Sequence, residues 1–196
     1  MDTHFALDQA LRATGDLLAR RGQTAAIVVV GGTALNLLHV VERTTRDVDV
    51  IATGVLQREG PPADIRPPEP LPDALKEAVG TVARDLGLPT DWMNTTVAGQ
   101  WQTGMPPGFA SRVAWNRHAG LWIGLAGRVD LIYLKLYAAA DDTSPASRHF
   151  ADLLALRPTA DELEGARAWI SQTQDPSPTM AATLERVIAH VLATNH

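Results

Sequence analysis

The sequence contains no cysteine, which excludes disulfides and thiolate zinc sites. It also lacks any apolar run that approaches the roughly 20 residues of a membrane-spanning helix. The first residues, MDTHFALDQ, carry early acids and no basic start followed by an apolar run, so they do not resemble an export signal. We therefore expect a soluble, cytoplasmic protein with no membrane partner.

Lysine is also scarce. Only two of the 17 basic residues are lysine, and the formal net charge is -5 with a pI of about 5.6. This balance argues against a protein that coats nucleic acid non-specifically, whereas a local basic patch remains compatible with it. The preference for arginine suits bidentate contacts with phosphate, and it is equally compatible with a compositional bias of the genome.

The most informative pattern lies near the N-terminus. An apolar, β-branched run at residues 24–30 predicts a strand that is covered on both faces. The double glycine Gly31–Gly32 follows, and then a predicted helix over residues 33–42 and a second strand over residues 47–53. A glycine turn after a buried strand lets the backbone approach a ligand, and the N-terminus of the next helix favours an anion.

This turn predicts a phosphate site, and the second strand predicts a metal site beside it. We expect a triphosphate to be held by Gly31, Gly32 and Thr33, with Thr33 supplying a hydroxyl. Because strand side chains two residues apart share a face, Asp47 and Asp49 can bind one cation.

Extending the same alternation backwards places Arg43 and Thr45 on the face of the two aspartates. Mg²⁺ prefers oxygen ligands and is typically held by one or two carboxylates together with substrate phosphates. The pattern therefore predicts a Mg²⁺ site, with Mn²⁺ as the alternative ion and a nucleoside triphosphate as the substrate.

The middle of the chain is less regular. Residues 60–72 hold six prolines and predict a loop, because proline fits neither a regular helix nor a central strand. Helical spacing returns over residues 72–86. No element is assigned to residues 88–107, and two short strands at 111–115 and 121–126 are predicted to form a hairpin.

The C-terminal third is predicted to be helical. The helices are expected at residues 130–140, 148–156, 159–170 and 177–192, and two of them begin with capping signals. The predicted fold class is α+β: a small mixed sheet flanked by helices, followed by a helical module. We assign residues 1–128 to the core, with its Pro-rich loop at 60–72, and residues 129–196 to the module.

The glycine turn and the aspartates also carry a resemblance to a known family. GGTAL at residues 31–35, followed by R-x-T-x-D-x-D at residues 43–49, resembles the nucleotidyltransferase superfamily related to DNA polymerase β, and in particular its branch of AbiEii-type toxins. Residues 88–94, LPTDWMN, are similar to a stretch common in that branch. So are the K-L-x-A helix containing Lys135 and the later Asp-Leu pair at Asp152.

The resemblance implies transfer of a nucleoside monophosphate from a nucleoside triphosphate to an acceptor, with release of pyrophosphate. It also implies a phosphate contact for Lys135, a nucleotide contact for Arg148, and a role for Asp152 at the metal or in orienting the acceptor. The alternative is that Lys135 lies on a solvated helix face and that Asp152 pairs with Arg148 on the surface.

A third carboxylate is common in this superfamily, but the predicted hairpin strands contain no acid. Candidates to complete the site are Asp130, Asp91 and Asp152. Asp130 is also a candidate helix cap.

Three functional hypotheses remain open at this stage. The first is an enzyme that modifies RNA, in particular a tRNA end, or a protein, in the manner of a toxin with an antitoxin partner. The second is an enzyme that acts on a small cationic molecule such as an aminoglycoside. The third is an inactive nucleotide- or partner-binding module. Tryptophans between residues 92 and 122 are candidates for base stacking or for packing.

Overall fold

The computed structural model describes residues 3–142 and 147–195 of the chain. Within those residues the helices are α1 (Thr3–Arg20), α2 (Gly31–Leu37), α3 (Asp73–Leu86), α4 (Gln100–Thr103), α5 (Arg128–Asp141), α6 (Arg148–Leu156), α7 (Ala160–Thr173) and α8 (Pro178–Thr194). The strands are β1 (Ala25–Val30), β2 (Val48–Val55), β3 (Asp64–Arg66), β4 (Met93–Asn94), β5 (Ala114–His118) and β6 (Leu121–Leu125). Short 3₁₀ turns lie at Thr96–Gly99 and Phe109–Arg112.

The described strands form one mixed sheet in the order β3-β2-β1-β6-β5, and β4 pairs with β2. β1 runs antiparallel to β2 and parallel to β6, and β5 and β6 form an antiparallel hairpin. All six residues of β1 are buried, as expected for a central strand composed of alanine, isoleucine and valine. The predicted α+β class, with a mixed sheet and a helical C-terminal part, is confirmed.

A β-bulge between Val28 and Val29 changes the register of β1 against β2. Val28 pairs with Ala52, but Val29 pairs with Val50, so one extra residue of β2 lies between the two pairs. After the bulge, Val30 lies opposite Asp49. The bulge therefore determines which residue of β2 stands beside the glycine turn that follows β1.

Several predicted boundaries are wrong. α2 ends at Leu37 instead of residue 42, because His39 adopts a left-handed φ of 57° and its N–H bonds to the carbonyl of Asn36. The first hairpin strand spans Ala114–His118 and not residues 111–115. Because it ends at His118, only residues 119 and 120 connect it to β6. Residues 60–72 contain the short edge strand β3 between their prolines, a position where proline is tolerated.

The chain divides into two compact units. The first comprises Met1–Trp101 and Ala110–Ala126, where α1 packs against α3 and against β6. The 88–94 segment is anchored there by Trp92, which is fully buried and donates from Nε1 to the carbonyl of Val79 at 3.2 Å.

The second unit comprises Gln102–Phe109 and Gly127–His196, and α5 contacts α6, α7 and α8 within it. α7 begins with the predicted capping box, in which Thr159 and Glu162 each bond the other's backbone N–H. Among the helices that the structure describes, none is both long and apolar enough to cross a membrane.

Candidate active site

The glycine turn packs directly against Asp49 and Arg43. Gly31 has φ 70°, and a Cβ atom placed on it would clash with Oδ2 of Asp49. A Cβ on Gly32 would lie 2.6 Å from Cγ2 of Thr45 and 2.8 Å from Nη2 of Arg43. Both glycines are therefore required for close approach: one admits a carboxylate and the other a guanidinium.

Thr33 ties the glycine turn to the start of β2. Its buried hydroxyl donates to the carbonyl oxygen of Asp47 at 2.6 Å, and its Oγ1 lies 3.4 Å from Oγ1 of Thr45. The hydroxyl predicted to reach a triphosphate is thus engaged inside the fold. A phosphate contact at Thr33 would have to go through its backbone N–H.

Residues 43–47 do not form the strand extension that the sequence predicted. β2 begins at Val48, whose N–H donates to the carbonyl of Trp92 at 2.6 Å. Arg43 and Thr45 still reach the glycine turn, but they do so from an irregular segment and not by strand alternation. Thr45 is buried at 6% exposure, so its hydroxyl faces the interior.

Asn36 bonds to this segment and was not predicted from the sequence as a site residue. Asn36 is 3% exposed; its Nδ2 donates to the carbonyl of Arg43 at 2.7 Å and lies 3.4 Å from Oγ1 of Thr45. Its Oδ1 accepts from the N–H of Arg43 at 3.4 Å. The available signal was an asparagine inside an apolar helix, where a buried amide needs partners.

The two aspartates differ in environment. Asp47 is exposed just before β2, and Asp49 is half-buried within β2, opposite Val30 and beside Asn94 of β4. The part of the chain described by the structure shows no group of three or more His, Asp or Glu side chains arranged around a metal. Mg²⁺ commonly takes one or two carboxylates from a protein and completes its shell with water and phosphate oxygens, so metal binding by Asp47 and Asp49 stays a prediction.

The sheet brings Trp122 onto the face that carries Asp49. Directly paired residues share a face, so Asp49 lies on the face of Val30. By alternation Ala26 lies on that face too, and Ala26 pairs with Trp122 of β6.

Trp122 has two neighbours on this face from β5. Arg117 pairs with Trp122 and places its guanidinium carbon 5.4 Å from the centroid of the Trp122 ring. Trp115 lies against Gly124, where a Cβ atom would be only 2.9 Å from the Trp115 ring. Both tryptophans are half-buried and Arg117 is exposed, so these three residues form an aromatic and cationic patch.

Residues 16–95 match the family model described as "Nucleotidyl transferase AbiEii toxin, Type IV TA system". The resemblance to the AbiEii branch is confirmed. The matched segment contains the glycine turn, both aspartates and the LPTDWMN stretch. No curated protein and no solved structure matches the chain.

Lys135 and Asp152 lie outside the AbiEii match, in the second unit. Nζ of Lys135 is 2.7 Å from Oδ2 of Asp152, and the two residues are 5% and 2% exposed. The alternative that Lys135 lies on a solvated face is wrong, because the side chain is buried and ion-paired. Arg148 is exposed in the first turn of α6, and Asp152 pairs with Lys135.

The three candidates for a further carboxylate have different environments. Asp130 is fully buried in the first turn of α5, and the N-cap of that helix is Gly127, so the predicted capping role of Asp130 is wrong. Asp91 is exposed in the first unit, and Asp152 is buried in the second. Completion of the AbiEii-type site by any of them stays a prediction.

Proposed function

We propose that the protein is a Mg²⁺-dependent nucleotidyltransferase that moves a nucleoside monophosphate from a nucleoside triphosphate to an acceptor. One observation carries the proposal. Within the segment that matches AbiEii, the glycine turn is packed against the carboxylate of Asp49 and the guanidinium of Arg43. Groups that bind a metal and groups that bind phosphate therefore converge on the same short turn.

The roles of the residues follow from their positions. Asp47 and Asp49 hold the metal ion, while the backbone of Gly31, Gly32 and Thr33 and the side chain of Arg43 bind the triphosphate. Thr45 acts from the interior by supporting that backbone. A Mg²⁺ ion held by Asp47 and Asp49 would supply positive charge to offset the negative charge of the phosphate oxygens.

The reaction balances as an in-line displacement. A bond forms between the acceptor oxygen and the α-phosphorus, while the bond from the α-phosphorus to the bridging oxygen breaks. Pyrophosphate leaves with that electron pair, and the proton of the acceptor passes to water. For the second unit, the resemblance implies phosphate binding by Lys135, a role for Asp152 at the metal or in orienting the acceptor, and nucleotide contact by Arg148.

The patch of Trp115, Arg117 and Trp122 favours RNA as the acceptor. Aromatic rings and an arginine are the groups that bind unpaired bases and backbone phosphates. Trp122 is two strands and four residues away from Asp49, which corresponds to roughly 16 Å at about 4.8 Å per strand and 3.3 Å per residue. A polynucleotide is long enough to contact both Asp49 and the patch. An aminoglycoside would need contacts only with the residues around Asp49.

The toxin–antitoxin description of the matching family supports an antitoxin protein as a partner. Two alternatives compete with RNA modification: the acceptor is a protein, or the protein binds nucleotide or a partner without catalysing transfer. The following experiment distinguishes them.

The test is transfer of label from each α-labelled nucleoside triphosphate, with Mg²⁺ or Mn²⁺, to tRNA, an aminoglycoside or the protein itself. We expect labelled tRNA with the wild type and its loss in Asp47→Asn and Asp49→Asn. Asp85→Asn, an exposed carboxylate on α3, is the matched control and should remain active. Transfer that persists in both site variants would contradict the proposal. Triphosphate binding without transfer to any acceptor would favour the inactive module.

A further inference from the structure

Asn36 forms a three-point contact with the segment that carries Arg43. The amide of Asn36 engages both backbone groups of Arg43, accepting from its N–H and donating to its carbonyl, and it also approaches the hydroxyl of Thr45. This is the pair of bonds that a neighbouring strand would make. Among the strands that the structure describes, none pairs with residues 38–47, and the side chain of Asn36 supplies these two bonds.

The bonds from Asn36 affect the position of the Arg43 guanidinium. The guanidinium of Arg43 lies so close to Gly32 that a Cβ atom placed on Gly32 would be 2.8 Å from Nη2. The position of that guanidinium depends on where the Arg43 backbone is held. The buried amide of Asn36 bonds to both the carbonyl and the N–H of that backbone. A buried polar group with satisfied bonds gives a unique local geometry, and its removal leaves the partner groups unpaired.

We propose that Asn36 is a positioning residue, which holds Arg43 against the glycine turn so that its guanidinium is preorganised for the triphosphate. This inference rests on the proposed function, because it takes Arg43 as a phosphate ligand. It assigns Asn36 no contact with the nucleotide. The effect of Asn36 on the nucleotide is therefore transmitted through Arg43, which makes it separable from the effect of a direct ligand.

The first test needs no nucleotide. Trypsin cleaves after arginine, so cleavage after Arg43 in the free protein reports how firmly this backbone is held. We expect Asn36→Ala and Asn36→Leu to raise the cleavage rate at Arg43 about tenfold. The matched control is Thr14→Val, which removes another fully buried hydrogen bond, from Thr14 to the carbonyl of Ala10 in α1, and should leave cleavage at Arg43 unchanged.

The second test is a double-mutant cycle on the Kd of a nucleoside triphosphate with Mg²⁺, measured by calorimetry. A charge-assisted hydrogen bond is worth about 1.5–3 kcal/mol, so Arg43→Ala should weaken binding roughly 10- to 100-fold. Asn36→Ala should weaken it about tenfold. The double variant should bind within about twofold of Arg43→Ala alone, because the two residues act as one unit.

The outcomes separate this inference from the proposed function. If the wild type binds no triphosphate, the proposed function fails, and unchanged cleavage at Arg43 would still overturn the holding role of Asn36. If cleavage rises but Kd stays at the wild-type value, Asn36 supports the fold and not the ligand. Additive losses in the cycle would also overturn the proposal, since they would mean that Asn36 acts independently of Arg43. Should Asn36→Leu fail to fold, the smaller Asn36→Ala carries both tests.

Discussion

The ammonium of Lys135 and the carboxylate of Asp152 form a buried ion pair between α5 and α6, with 2.7 Å between Nζ and Oδ2. A phosphate contact for Lys135, as the resemblance implies, would predict that Lys135→Ala reduces turnover with little loss of stability. The burial of both partners revises that expectation. A charge that loses its partner inside the protein is strongly unfavourable, whatever role the pair has in catalysis.

We expect Lys135→Met to lower the free energy of unfolding by about 3–5 kcal/mol, because it removes the ammonium that pairs with the buried Asp152 carboxylate. The double variant Lys135→Met/Asp152→Leu should be more stable than either single variant, since it removes both charges. Urea denaturation followed by circular dichroism measures all three. Lys76→Met is the control, because Lys76 pairs with Asp73 at the surface and should change stability by less than about 1 kcal/mol.

The glycine turn gives a second prediction. Gly31→Ala should destabilise the protein by about 1–3 kcal/mol, because alanine is strained at a φ of 70° and its methyl group would displace Asp49. Affinity for Mg²⁺ with a triphosphate should fall as well, as measured by calorimetry. Gly80→Ala in α3 is the matched control: its Cβ meets only Nη1 of Arg84 at 4.0 Å, and it should stabilise the helix by roughly 0.5–1 kcal/mol. A Gly31→Ala variant with wild-type stability would contradict the observed packing of Asp49.

How much was predictable from sequence depends on the range of the interactions. The buried β1, the capping box of α7 and the mixed α+β character follow from local periodicity and capping chemistry, which one sequence contains. The end of α2 was missed because it depends on the left-handed φ of His39. The bulge that brings Asp49 opposite Val30 depends on pairing between two strands, and no pattern in either strand reveals it.

In the candidate site, too, local patterns were predictable and contacts between distant residues were not. The types of residue were predictable, since glycines and alternating aspartates have recognisable chemistry. The partners of Thr33, Thr45 and Asn36 were not, because each hydrogen bond joins residues 7 to 14 positions apart through an irregular segment. Polar residues near a site can serve either the ligand or the fold, and only their contacts distinguish the two roles.

Glu162 predicts a pH dependence of stability. Burial disfavours its charged form, but hydrogen bonds from Arg128 and from Thr159 outweigh burial and lower the pKa of Glu162 below the ordinary glutamate value of 4.5. A lowered pKa in the folded state means that the unfolded state binds more protons under acidic conditions. The stabilisation is therefore complete above about pH 4.5 and is lost as the pH falls through the lower folded pKa.

We accordingly expect Glu162→Gln to reduce the difference in melting temperature between about pH 7 and about pH 3. Glu164→Gln is the control; the pKa of Glu164 is also lowered, by its hydrogen bond with Arg167, but its side chain is 61% exposed and the pair is screened by water. A wild-type pH profile in Glu162→Gln would show that the contacts of Glu162 with Arg128 and Thr159 contribute nothing to acid stability.

The aromatic and cationic patch of Trp115, Arg117 and Trp122 leads to a prediction about the acceptor. Arg117→Ala and Trp122→Leu should each weaken RNA binding by about 1–3 kcal/mol, because each removes a stacking or phosphate contact, and should leave the Kd of the free triphosphate unchanged. The RNA affinity should also depend less steeply on salt in Arg117→Ala. Asn116→Ala is the control, since Asn116 is exposed on the opposite face of β5. If the patch variants transfer label to RNA as efficiently as the wild type, the RNA contacts lie elsewhere. If they lose triphosphate binding as well, the patch belongs to the nucleotide site and not to the acceptor.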